Sequence, residues 1–197
     1  MIRLLALDLD GTLMDDDLVI SPRVRRAVAA AQKHGVVVTL ATGRMFDSTL
    51  TFARELDITA PLICYQGALI QAPDSNAPFY RATMEPALVR EMLEWQAQRG
   101  WHLVLYADDD VFVAGQRYPE TFYRTWLGKR LVWVDDLFSV LEQHEPVKFL
   151  VVAESPEADR IETEVRQRLT RNRLHKRCEE MFVEGNPLGV SKGDALQ

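Results

Sequence analysis

The chain of 197 residues is 47% hydrophobic and 26% charged, a globular composition with length enough for one large domain or two small ones. A formal charge of -6 argues against a general nucleic-acid surface, which needs clustered Lys and Arg, and fits a cytoplasmic enzyme. Cys64 and Cys178 are too far apart in sequence to read as a disulfide framework or a paired-thiolate zinc site, and no apolar run reaches membrane-spanning length.

The apolar run Leu4-Leu5-Ala6-Leu7 predicts a buried strand, and Asp8-Leu9-Asp10-Gly11-Thr12-Leu13 stands where that strand stops. Two carboxylates one residue apart can serve as nucleophile and proton donor around one electrophile. Gly11 permits a sharp turn and Thr12 can donate a hydrogen bond. The plain alternative is a strand ending in an acidic turn. Asp15-Asp16-Asp17 lack the alternating spacing and glycine of a calcium loop and read as a solvated turn. Ser21-Pro22 then offers an N-cap and a first-turn proline. Val24, Ala27, Val28 and Ala31 form the apolar stripe of a helix that Gly35 ends.

Val36 to Ala41 is β-branched and apolar, as expected of a parallel strand buried on both faces. It ends at Thr42-Gly43-Arg44, whose hydroxyl, amides and guanidinium suit phosphate beside the N-terminus of the next helix. That helix runs from Phe46 to Leu56, and Pro61 to Tyr65 reads as a third strand ending at Gln66-Gly67. Residues 69–71 and 79–81, split by a turn-rich segment, predict an antiparallel hairpin.

From Thr83 the order changes, which predicts a second domain. Ala87 to Arg99 has helical spacing, and Trp101 to Tyr106 with Val111 to Ala114 flank Asp108-Asp109-Asp110 as a hairpin with a solvent-exposed acidic loop. Tyr118 to Leu127 predicts a helix with packing aromatics, Asp135 to Gln143 a short helix and Pro146 to Ala153 a strand. A helix from Ser155 to about Leu169 follows. Leu174 to Cys178 and Met181 to Glu184 complete a mixed sheet, and residues 185–189 lead back to the first domain. The four histidines form no metal pattern and read as structural. No nucleophile elbow, dinucleotide fingerprint or P-loop is present.

In order and spacing, Asp8-Leu9-Asp10-Gly11-Thr12-Leu13, Thr42-Gly43-Arg44 and Gly189-Val190-Ser191-Lys192-Gly193 resemble the first three signature motifs of the haloacid dehalogenase superfamily, and within it the Cof-type sugar-phosphate phosphatases. The resemblance implies an α/β protein with a Rossmann-like parallel-sheet core (residues 1–82 and 186–197) and a large inserted α/β cap (83–185). It implies that Asp8 attacks a phosphate monoester of a small metabolite while Asp10 serves as acid and then base. Thr42 and Lys192 would hold the phosphoryl group, with Gly11, Thr12, Gly43 and Arg44 around the substrate. Mg2+ would be bound at Asp8 and Asp10, through the side chain of the first and the backbone carbonyl of the second. Gln66 stands where relatives commonly have asparagine and is left outside this set. An acidic fourth motif is expected downstream of the lysine, and Asp194 is too close to Lys192 to supply it. The expectation is therefore a chain shortened at its C-terminal end, with an apolar core edge open to self-association and a weakened activity. A non-catalytic phosphoryl-binding protein is the alternative.

Overall fold

The structure, a computed structural model, describes residues 2–15, 17–128, 130–168, 174–179 and 181–197. The chain divides into two compact units, Met1–Arg81 with Val190–Gln197, and Ala82–Gly189. Residues 82 and 186–189, assigned from sequence to the core, fall in the second unit.

In the first unit β1 (Leu4–Leu7), α1 (Pro22–Lys33), β2 (Val37–Leu40), α2 (Phe46–Glu55) and β3 (Leu62–Cys64) alternate along the chain. β1 and β2 pair in parallel from Leu4↔Val37 to Leu7↔Leu40, and a parallel bridge between Ala41 and Ile63 carries the same polarity to β3. The Ser21 hydroxyl accepts from the Val24 amide at 3.3 Å, so α1 begins with the cap and proline that its sequence offers. It ends with His34, whose ring lies 2.7 Å from the Ala30 carbonyl, and with Gly35 at φ +78°. Leu9, Ile20, Val28, Val38, Leu40, Ala53 and Leu62 are buried. β2 is buried on both faces over Val38, Thr39 and Leu40, as its apolarity predicts, and is open only at its start. Val37 is 51% exposed beside Leu4, its register partner, at 48%, because this end of the ladder lacks the cover that buries Val38 and Leu40. On α1, Ala27 is likewise exposed.

β3 turns back antiparallel into β4 (Leu69–Gln71), which pairs with β5 (Tyr80–Arg81). The β3–β4 connection is a tight turn with positive φ at Tyr65 (48°), Gln66 (58°) and Gly67 (107°), a reversal that no short turn motif in the sequence announces.

The second unit holds α3 (Pro86–Arg99), β6 (His102–Ala107), β7 (Asp110–Ala114), α4 (Glu120–Trp126), β8 (Leu131–Val134), β9 (Pro146–Val152), α5 (Ser155–Arg168), β10 (Leu174–Glu179) and β11 (Phe182–Gly185). Its sheet runs β10-β11-β9-β6-β7-β8, antiparallel except for the β7–β8 pair. Val89, Met92, Leu93 and Trp95 of α3 and Ala158, Ile161 and Val165 of α5 form one core with Leu103, Leu105, Phe149 and Val151 of the sheet. These alternate strand positions leave the other face to Lys148 and Glu184, a buried pair 2.7 Å apart.

β8 is absent from the sequence expectation, since four residues between polar stretches give little periodicity to read. Where a helix was expected over Asp135 to Gln143 there is only a 3-10 turn, Ser139–Glu142, preceded by Asp136 accepting from the Phe138 amide at 3.1 Å. The acidic triplet is not a free loop either. Asp108, at φ +51°, lies 2.8 Å from His144 Nδ1, and Asp110 takes Arg130 at 3.0 Å, because a two-residue turn brings both carboxylates beside basic neighbours. Asp16 and Leu169 lie outside the described residues, as do the side chains of Arg168, His175 and Cys178. No helix among the described residues is long and apolar enough to cross a membrane.

Candidate active site

The site lies in the first unit, at the carboxyl ends of β1 and β2. Leu9 is fully buried and its carbonyl accepts from the Thr12, Leu13 and Met14 amides, so the chain is pinned between Asp8 and Asp10. Their side chains, on alternate positions to Leu9, remain 41% and 46% exposed. Gly11, at φ +68°, makes the turn that its sequence position predicts, and Thr12 is exposed on it. The parallel ladder continues through an Ala41 amide to Leu7 carbonyl bond of 2.8 Å, which sets Thr42 beside Asp8 in the backbone.

Asp8 accepts from the Leu9 amide at 2.8 Å and meets Lys192 Nζ at 2.7 Å. A lysine from the far end of the chain is thus brought to the first strand. The loop that carries it is internally tied: the Ser191 hydroxyl donates to Asp194 at 2.6 Å and accepts from the Asp194 amide at 3.1 Å. Asp194 therefore caps its own turn. Arg44 grips Asp10 at two points, Nη2 to Oδ1 at 2.6 Å and Nε to Oδ2 at 2.9 Å, and its guanidinium stands 5.5 Å from the Phe52 ring centroid. This contact braces the acidic loop. Thr42 is fully buried. Its hydroxyl oxygen accepts from the Arg44 amide at 3.2 Å, which leaves the hydroxyl hydrogen to donate elsewhere.

Gly43 and Gly67 are required by space. A Cβ on Gly43 would lie 2.5 Å from Nε2 of Gln66, and one on Gly67 would run into the Ser191 carbonyl. The β3–β4 turn therefore packs against both the Thr42-Gly43-Arg44 loop and the lysine loop. Sequence reasoning left Gln66 aside. The signal available was its place at the end of a strand next to a glycine. Below it, Cys64 is a buried free thiol, its pKa pushed up to about 12 by desolvation. For a hard cation the chain offers the Asp8 carboxylate and the Asp10 backbone carbonyl, the Asp10 carboxylate being held by Arg44, and no group of three metal-ligating side chains converges among the described residues.

The chain has 30% identity over 111 residues to 5-amino-6-(5-phospho-D-ribitylamino)uracil phosphatase YitU of Bacillus subtilis, covering 55% of this chain and 41% of that protein. To YcsE of the same organism, named for the same activity, it has 28% identity over 198 residues, 99% of this chain and 69% of the relative. It thus spans between about two fifths and two thirds of the length of these relatives. The solved structure of TM0651 from Thermotoga maritima matches with a TM-score of 0.82 at 25% identity, over all of this chain and 73% of that one. Residues 5–197 match the family model of the haloacid dehalogenase-like hydrolases. With nearly its whole length inside that match and the fold shared, the chain belongs to the haloacid dehalogenase-like hydrolase family.

Proposed function

We propose that the first unit is the catalytic core, and Ala82–Gly189 the cap, of a magnesium-dependent phosphatase acting on small phosphorylated metabolites, sugar phosphates among them. The observation that carries this reading is the 2.7 Å pair between Lys192 and Asp8, a nucleophile and a counter-charge drawn from opposite ends of the chain. The activity for which the two Bacillus subtilis relatives are named, on a phosphorylated ribityl compound, supports a polyol or sugar phosphate as the substrate class.

In this reading the Asp8 carboxylate attacks phosphorus while the ester P–O bond breaks, its electron pair leaving on the alcohol oxygen. Asp10 delivers a proton to that oxygen, for which it must first leave the two-point grip of Arg44. It then takes a proton from water as the water attacks phosphorus of the aspartyl-phosphate, releasing phosphate and restoring Asp8. Lys192 exchanges Asp8 for a phosphoryl oxygen, and Thr42 donates its hydroxyl hydrogen to another. Gly11, Thr12, Gly43 and Arg44 line the same loops and would border the bound group. The Asp8 carboxylate and the Asp10 backbone carbonyl fit Mg2+, which takes one or two carboxylates and completes its shell with water and phosphate. When bound, the ion would offset repulsion between Asp8 and an anionic substrate.

Phosphate release from a panel of sugar phosphates should depend on magnesium and fall by at least about 10³-fold in Asp8→Asn. Equal release by that variant sinks Asp8 as the nucleophile. Oxyanion binding with no turnover at high magnesium would favour the non-catalytic phosphoryl-binding reading.

A further inference from the structure

We infer that Gln66 is a phosphoryl-binding residue, its side-chain amide donating to the bound group alongside Thr42; this rests on the phosphoryl-transfer reading above. Three observations within the first unit converge on it. The amide packs against Gly43, with Nε2 at 2.5 Å and Cδ at 3.1 Å from where a Cβ on Gly43 would stand, so the glycine leaves room for this one side chain. Both Tyr65 and Gln66 have left-handed backbone, φ 48° and 58°, a conformation that non-glycine residues adopt only when their surroundings impose it. Here the Tyr65 amide donates to the Arg44 carbonyl and the Gln66 amide to the Thr42 carbonyl, each at 3.0 Å. The strained turn is thus bolted to the loop it overhangs.

The side chain delivered in this way is half-buried and, among the described residues, has no hydrogen-bond partner for its amide group. Around it the cations are engaged, Lys192 by Asp8 and Arg44 by Asp10. Gln66 is therefore a neutral donor not committed to a carboxylate. It needs no ion pair to break before it meets a phosphoryl oxygen, whereas Lys192 and Arg44 each do.

Orthovanadate, a phosphoryl analogue, is titrated calorimetrically into the whole chain with magnesium present, comparing wild type with Gln66→Gly and Gln66→Glu. Glycine suits the left-handed backbone, so Gln66→Gly should keep or raise the thermal midpoint while weakening orthovanadate roughly tenfold. Gln66→Glu keeps the length and shape but sets a negative charge against an oxyanion, and should weaken binding further, less so at high salt. A merely structural role for the side chain predicts unchanged affinity in the glycine variant. Both variants binding as tightly as wild type would overturn the assignment and leave the phosphoryl reading standing. A wild-type chain that binds no orthovanadate would overturn both.

Discussion

Gly67 shows at the scale of one residue how the site is held. Its φ of +107° strains any other residue, and a side chain there would strike the Ser191 carbonyl, next to the lysine that meets Asp8. Gly67→Ala should therefore cost at least about 2 kcal/mol of stability, read by urea unfolding, and should also weaken oxyanion binding by displacing the lysine loop. A variant with a lowered midpoint but wild-type binding would separate the turn from the placement of Lys192. The carboxylates and the threonine were legible in the sequence as chemical types at the ends of predicted strands, and Lys192 only through the resemblance of its loop to a family motif. Gln66 was not, since nothing in its local sequence fixes the left-handed backbone that turns it over Gly43. That conformation is imposed by the Thr42 and Arg44 carbonyls, more than twenty residues earlier.

Between elements, the link of α4 to β6 carries the clearest pH dependence. The Tyr123 hydroxyl accepts from the Arg117 and Tyr118 amides at 2.9 and 3.3 Å, so its own hydrogen goes to His102 Nε2 at 2.9 Å. His102 must therefore be neutral at that nitrogen. Its pKa is lowered from 6.5 to about 4 by burial first and by the Arg117 charge second. The folded state thus binds this proton less readily than the unfolded chain does. The stability it contributes is complete above pH 6.5 and is lost progressively as the pH falls toward 4, on the order of 3 kcal/mol. Stability measured across that window should fall in wild type and flatten in His102→Gln; parallel acid limbs in the two proteins would refute the assignment. Sequence reading placed α4 and β6 from periodicity. It missed β8 and overextended the helix before β9, because a short edge strand and a 3-10 turn offer too few residues for a period to declare itself.

For the whole molecule, the exposed apolar row of Ile2 (72%), Leu4 (48%) and Val37 (51%) supports the proposal that the chain self-associates. Sedimentation velocity should show concentration-dependent association that a Leu4→Lys, Val37→Lys double variant abolishes. A wild-type chain that stays monomeric across the concentration range would remove the proposal.

The sequence alone determined the alternation of strand and helix, the acidic loop at the first strand's end, the caps of α1 and the family, because these depend on local periodicity and on motifs whose spacing is written in the chain. Tertiary structure decided what those residues touch. Lys192 meets Asp8, Arg44 holds Asp10, Asp194 caps its own loop, and Gln66 is drawn over Gly43. Each of these depends on which carboxylate or carbonyl lies within about 3 Å of a donor, a distance fixed by packing of segments remote in sequence.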